Sequence, residues 1–123
     1  MNEQELLNQI VKIFNTGEVS KVEQIFSSEY VDHQRPDFIK ANGPEEFKQI
    51  VNLARKSLPN LVVTVVDLKL ELDKLIARLH WHSLDENGHQ IERETLDTLR
   101  FVDGQFVEHW GEELWEKENN KTS

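Results

Sequence analysis

At 123 residues the chain can hold one domain with a substantial core and is too short for two. Fourteen basic against 23 acidic side chains leave a formal charge of -9, a field that repels both a nucleic-acid duplex and an anionic membrane surface. The absence of cysteine removes disulfide and thiolate chemistry and suits a reducing, cytoplasmic compartment. Met1-Asn2-Glu3-Gln4-Glu5 is acidic where a signal peptide is basic, and no apolar run reaches membrane-spanning length.

Helices come first. Leu7, Ile10, Val11 and Phe14 fall at i, i+3, i+4, i+7, so an amphipathic helix is expected from about 3 to 15, with Asn2 as N-cap and Thr16-Gly17 as its stop. A shorter helix carries Val19, Val22, Ile25 and Phe26 on one side, and Glu29 to Gln34 reads as a short extended segment ended by Pro36. Gly43-Pro44 opens a third helix, whose stripe of Phe47, Ile50, Val51, Ala54 and Leu58 runs to Pro59. From Leu61 the period changes to that of strands. Turns at Leu72-Asp73-Lys74, Asp85 to Gly88 and Asp103-Gly104 divide the rest into four long strands, the last from Gln105 to about Trp115. Asp-Gly is a strong hairpin signal because a type I′ turn needs positive φ at both central residues. The expected architecture is α+β: N-terminal helices packed on one face of a curved, mainly antiparallel four-strand meander. The domain spans 1–115, and 116–123 reads as a polar tail.

Strand period two sorts the polar residues by face. Leu75, Ala77, Leu79 and Trp81 share the side toward the helices, leaving Ile76, Arg78, His80 and His82 on the other. On the next strand Ile91, Arg93, Thr95, Asp97, Leu99 and Phe101 lie together. A carboxylate on so apolar a face is costly unless paired or reached by water, which argues for a partly hollow interior. Counting outward from Asp103-Gly104 sets Leu99 near Glu108 and Asp97 near Trp110, so Asp97 and His109 come out as diagonal neighbours.

Several segments, taken in order and spacing, resemble one family. They are Tyr30-Val31-Asp32-His33, Gly43-Pro44-Glu45-Glu46-Phe47, the run from Leu58-Pro59-Asn60 to Asp67, Asp73 to Arg78, and Leu96 to Trp110. Together they are similar to the SnoaL-like polyketide cyclases of the nuclear-transport-factor-2-like (NTF2-like) superfamily, over roughly residues 5 to 115. The resemblance implies a cone-shaped α+β barrel with a pocket between sheet and helices, a small apolar or polyketide-like ligand, and a homodimer. Family members usually carry aspartates just after the His-Trp pair. This chain departs there, with Gly111 and Leu114 in those places and Glu112 or Glu113 as the nearest carboxylates.

The candidate proton-handling pair is Asp97 and His109, a carboxylate orienting an imidazole. Candidate substrate contacts are His33 at the pocket mouth, Trp81 and Trp110 as aromatic walls, Arg93 as a carbonyl-polarising cation, and Glu113 in place of the absent aspartates. His80-Trp81-His82 sets two imidazoles on one face, but spacing offers no third ligand, so no metal is expected. No glycine-rich phosphate loop and no Ser/His/Asp order appears, so no cofactor is expected. Two functions fit: a cofactor-independent cyclase, isomerase or lyase using general acid/base chemistry on a small apolar carbonyl compound, or a non-catalytic ligand-binding or dimerising module of the same fold.

Overall fold

The structure is a computed structural model that describes residues 2–119. Helix α1 (Glu3–Thr16) starts where the Asn2 side chain accepts the Glu5 N–H, and it ends at Gly17, whose left-handed φ of 78° lets its N–H close on Ile13. Helix α2 is only Val22–Ile25, because Phe26 already belongs to strand β1 (Phe26–Asp32). That strand begins earlier than the extended segment expected at 29–34. Helix α3 (Pro44–Ser57) has proline in its first turn and Arg55 and Lys56 in its last, matching the helix dipole.

Four long strands follow: β2 (Val62–Glu71), β3 (Lys74–Leu84), β4 (Gln90–Val102) and β5 (Gln105–Asn119). The turn at Asp103 and Gly104 has φ of 52° and 80°, as a type I′ hairpin requires. Two expectations need correction. β5 continues through Asn119 rather than fading at 115, because Glu116 to Asn119 still pair with Arg93 to Gln90; of the expected tail, 120–123 lie outside the described residues. The sheet also has five strands in the order β1-β5-β4-β3-β2, since β1 adds to β5 in parallel.

One-residue bulges at Val66 on β2 and at Val107 and Leu114 on β5 bend the sheet, and the pairing of β1 with β5 shifts register between Phe26 and Val31. α1 and α3 cover the concave side. Leu7 and Ile10 of α1, Phe47 and Val51 of α3 and Leu75 and Ala77 of β3 meet in one core. Phe26 stacks on Phe47 at 4.1 Å, and Phe14 stands edge-on to Phe47 and Trp81. Asn15 closes α1 onto the edge strand by a pair of hydrogen bonds to the backbone of Val63, at 2.6 and 3.0 Å. The expected face of β3 holds: Leu75, Ala77 and Leu79 are buried.

Candidate functional site

Between helices and sheet the core is hollow. The cavity measures about 400 Å³, at the lower end of the range for sites that enclose drug-sized ligands. Its walls are mainly apolar, with Leu7, Ile10 and Phe14 from α1, Ile50 and Leu53 from α3 and Leu79 from β3. Most of its polar groups gather along β4 and the meeting of β1 with β5, among them Arg93, Thr95, Asp97, His109 and Asp32.

A one-residue bulge decides which β5 side chains face inward. Phe106 pairs with Phe101, but Arg100 pairs with Glu108, so Val107 is the extra residue. Beyond it Leu99 pairs with His109 and Asp97 with Gly111, each one position later than counting from the turn predicts. A shift of one residue exchanges the two faces of a strand. His109 therefore turns into the cavity beside Asp97, and Trp110 turns out.

On its other side His109 meets β1, where Asp32 is its direct strand partner. Nε2 of His109 lies 2.7 Å from Asp97 Oδ1, and Nδ1 lies 2.9 Å from Asp32 Oδ1. Burial, the largest single influence, pushes the imidazole down; hydrogen bonds to Asp32 and Asp97, with their charges, outweigh it and raise the pKa to about 9. At neutral pH His109 is thus an imidazolium donating both N–H groups, and it cannot serve as a base.

Each carboxylate is held in turn. Thr95 donates to Asp97 Oδ2 at 2.6 Å while accepting from Trp81 Nε1 at 2.8 Å. Asp32 Oδ1 accepts the Gln34 N–H at 2.8 Å, and the Tyr30 hydroxyl reaches Oδ2 at 3.3 Å. Burial first, then the charges of Asp32 and Glu46, push that phenol well above its usual range, so it stays a donor. Glu46 is fully buried at the start of α3, where it accepts the Asp32 N–H at 2.6 Å and pairs with Arg35 at 2.5 Å. The loop after β1 is thereby fastened to α3.

The sequence matches the family described as SnoaL-like polyketide cyclase over residues 4–113. The chain belongs to the SnoaL-like polyketide cyclase family. Solved structures agree on the fold. A proposed polyketide cyclase from Bacillus cereus ATCC 10987 is 25% identical, with a TM-score of 0.78 over 93% of this chain and 79% of that one. TsrD from Streptomyces laurentii is 20% identical, with a TM-score of 0.78 over 93% of this chain and 91% of that one. A SnoaL-like polyketide cyclase from Agrobacterium tumefaciens C58 is 12% identical, with a TM-score of 0.77 over 92% and 91%. No curated protein matches. The fold is NTF2-like, with helices on a curved sheet as the sequence led us to expect.

In this SnoaL-like chain four of the seven residues singled out from sequence line the cavity: Trp81, Arg93, Asp97 and His109. The other three do not. His33 stacks on Trp110 at 5.1 Å and bonds Glu108 at 2.8 Å, in the group carried outward by the bulge. That contact first, then Arg100, holds the Glu108 carboxyl below its usual range. Trp110 also lies under the Lys74 ammonium, 5.7 Å from its ring centroid. Glu113 pairs with Thr95 but is exposed beyond the cavity rim.

Asp32 lines the cavity and bonds His109 but is not among the candidates singled out from sequence. The criterion that exposed Asp97 applies to it too, since Tyr30 and Asp32 share one face of a strand. What sequence could not show is that this strand lands beside His109. Gly111 faces Asp97 with no side chain; a Cβ there would stand 3.1 to 3.2 Å from Gln34 Cγ, Asp97 Oδ1 and His109 Cε1, tighter than ordinary contact.

Proposed function

We propose that this SnoaL-like protein catalyses proton transfer on a small apolar carbonyl compound, without a cofactor, with Asp97 as the base. The observation that carries the reading is a buried imidazole shared by two carboxylates in the wall of a mainly apolar cavity. Asp97 accepts one hydrogen bond on each oxygen, and each keeps a lone pair. It would take the proton from the carbon beside the carbonyl, the C–H electron pair moving onto the carbonyl oxygen as an enolate. Return of the proton to the same carbon gives exchange, and to another carbon gives an isomer. His109 holds Asp97 in place, and its charge offsets the negative charge that develops on the substrate. Trp81 forms part of the wall and, through Thr95, orients Asp97.

The test is exchange of α-hydrogens for deuterium in 2,6-diacetylnaphthalene, which carries a carbonyl at each end of an apolar body, followed by NMR in D2O. Acceleration by the protein should fall by about 10²- to 10⁴-fold in Asp97→Asn, the usual loss for a general base. An equal rate in that variant removes Asp97 from the mechanism.

A second reading is a binding module of the same fold. It is favoured by the engagement of both His109 nitrogens and the bare Gly111 opposite Asp97. Ligand binding with no accelerated exchange would select it. A homodimer is part of either reading and rests on the family likeness. Sedimentation at the monomer mass of 14.5 kDa would remove it. The lack of cysteine supports a reducing compartment such as the cytoplasm.

A further inference from the structure

Arg93 differs from the other arginines. Arg35, Arg55, Arg78 and Arg100 each donate a hydrogen bond to a carboxylate or a backbone carbonyl, at 2.5 to 3.1 Å. Arg93 has Glu116 as its ion-pair partner, but Nε stands 3.7 Å from the carboxylate oxygen, too far for a hydrogen bond. Among the described residues its Nε is the buried side-chain polar atom left without a partner. Buried donors are nearly always satisfied, and one that is not calls for a reason. Arg93 is also the arginine that lines the cavity.

We infer that Arg93 is a ligand-binding residue, and that the ligand carries a carbonyl-type oxygen, of a ketone, ester or carboxylate, at the end of its apolar body away from Asp97. A turn of the side chain brings the guanidinium onto that oxygen and relieves the unmatched donor. The fork of N–H groups suits such an acceptor better than an ammonium would. Placement sets the ligand's length. Arg93 and Asp97 share the inner face of β4, four residues and so roughly 13 Å apart along the strand, with Thr95 between them. An oxygen held by Arg93 is therefore separate from the carbonyl that Asp97 would act on, and the ligand has a polar group toward each end. Glu116 already balances much of the Arg93 charge, and the two aspartates leave the site acidic. A neutral carbonyl is accordingly the better fit of the two oxygen types.

This inference rests on the cavity being a ligand site, and the experiment separates the two. Equilibrium dialysis of the full chain would compare 2-ethylnaphthalene, which has no acceptor, with 2-acetonaphthone and 2-naphthoate. The ketone should bind at least about tenfold more tightly than the hydrocarbon, the gain of a hydrogen bond to a charged donor. In Arg93→Met that preference should vanish while the hydrocarbon binds as before. Circular dichroism and the retained hydrocarbon affinity show that the variant is folded. Naphthoate binding more tightly than the ketone would keep Arg93 and make the carboxylate its partner. A preference that survives in Arg93→Met, or is absent from the parent, overturns the assignment and leaves the cavity as a ligand site. Failure of all three probes to bind the parent overturns both.

Discussion

The imidazole of His109 keeps its proton well into alkaline solution, and stability should follow it. In an unfolded chain the group titrates near 6.5; in the folded protein it does so at about 9. Below pH 6.5 both states are protonated and the full contribution is present. Between 6.5 and 9 the unfolded state gives up its proton while the folded state holds it, so stability falls as pH rises. The difference is worth at most roughly 3 kcal/mol at 1.36 kcal/mol per unit. Urea unfolding of the parent and of His109→Gln, from pH 6 to 9.5, should show the gap between them closing with pH. A gap independent of pH would mean that folding leaves the proton affinity of the histidine unchanged, and a gap that widens with pH that the fold holds it neutral. Asp97 was legible in sequence because period two sets it among Ile91, Leu99 and Phe101. The charge state of its partner was not, since it depends on a second carboxylate brought from 77 residues away.

The elements were read with more success than their joints. α1, α3 and the four long strands follow from apolar spacing, caps and the Asp-Gly turn, which are local signals. What escaped was non-local: the parallel docking of β1 on β5, and the bulge at Val107 that turns His109 inward and Trp110 outward. Nothing in Gln105-Phe106-Val107-Glu108 marks which residue is left unpaired, because the bulge is settled by packing against β1 and β4. α3 makes a second such joint through Glu46. Glu46→Ala would leave Arg35 beside a fully buried site without its carboxylate and the Asp32 N–H without its acceptor. Arg35 is a third exposed and keeps its bond to the Ala41 carbonyl, so the main cost is the buried Asp32 N–H left without an acceptor, about 1–3 kcal/mol, and the urea midpoint should drop accordingly. A loss below about 1 kcal/mol would show that the loop after β1 holds Asp32 without help from α3.

At the scale of the molecule the acidic excess dominates. A formal charge of -9 on one small domain repels itself, and the ion pairs that relieve it are largely exposed, such as Lys48 with Glu23 and Lys69 with Glu71. Sodium chloride screens the long-range repulsion more than it weakens such pairs, so the thermal midpoint should rise between about 0.02 and 0.5 M salt. A falling midpoint would mean that the surface pairs matter more than the net charge.

The union of the first strand with the last has a temporal consequence. Asp32 is made early and His109 late, and their contact requires β5 to be present for β1 to dock against it. A long loop must close before that contact can form, which is the slow kind of assembly. A nascent chain still lacking β5 would hold both Asp32 and Asp97 and no imidazole between them. The hydrogen-bonded centre of Asp32, His109 and Asp97 is thus complete only once β5 has joined the sheet.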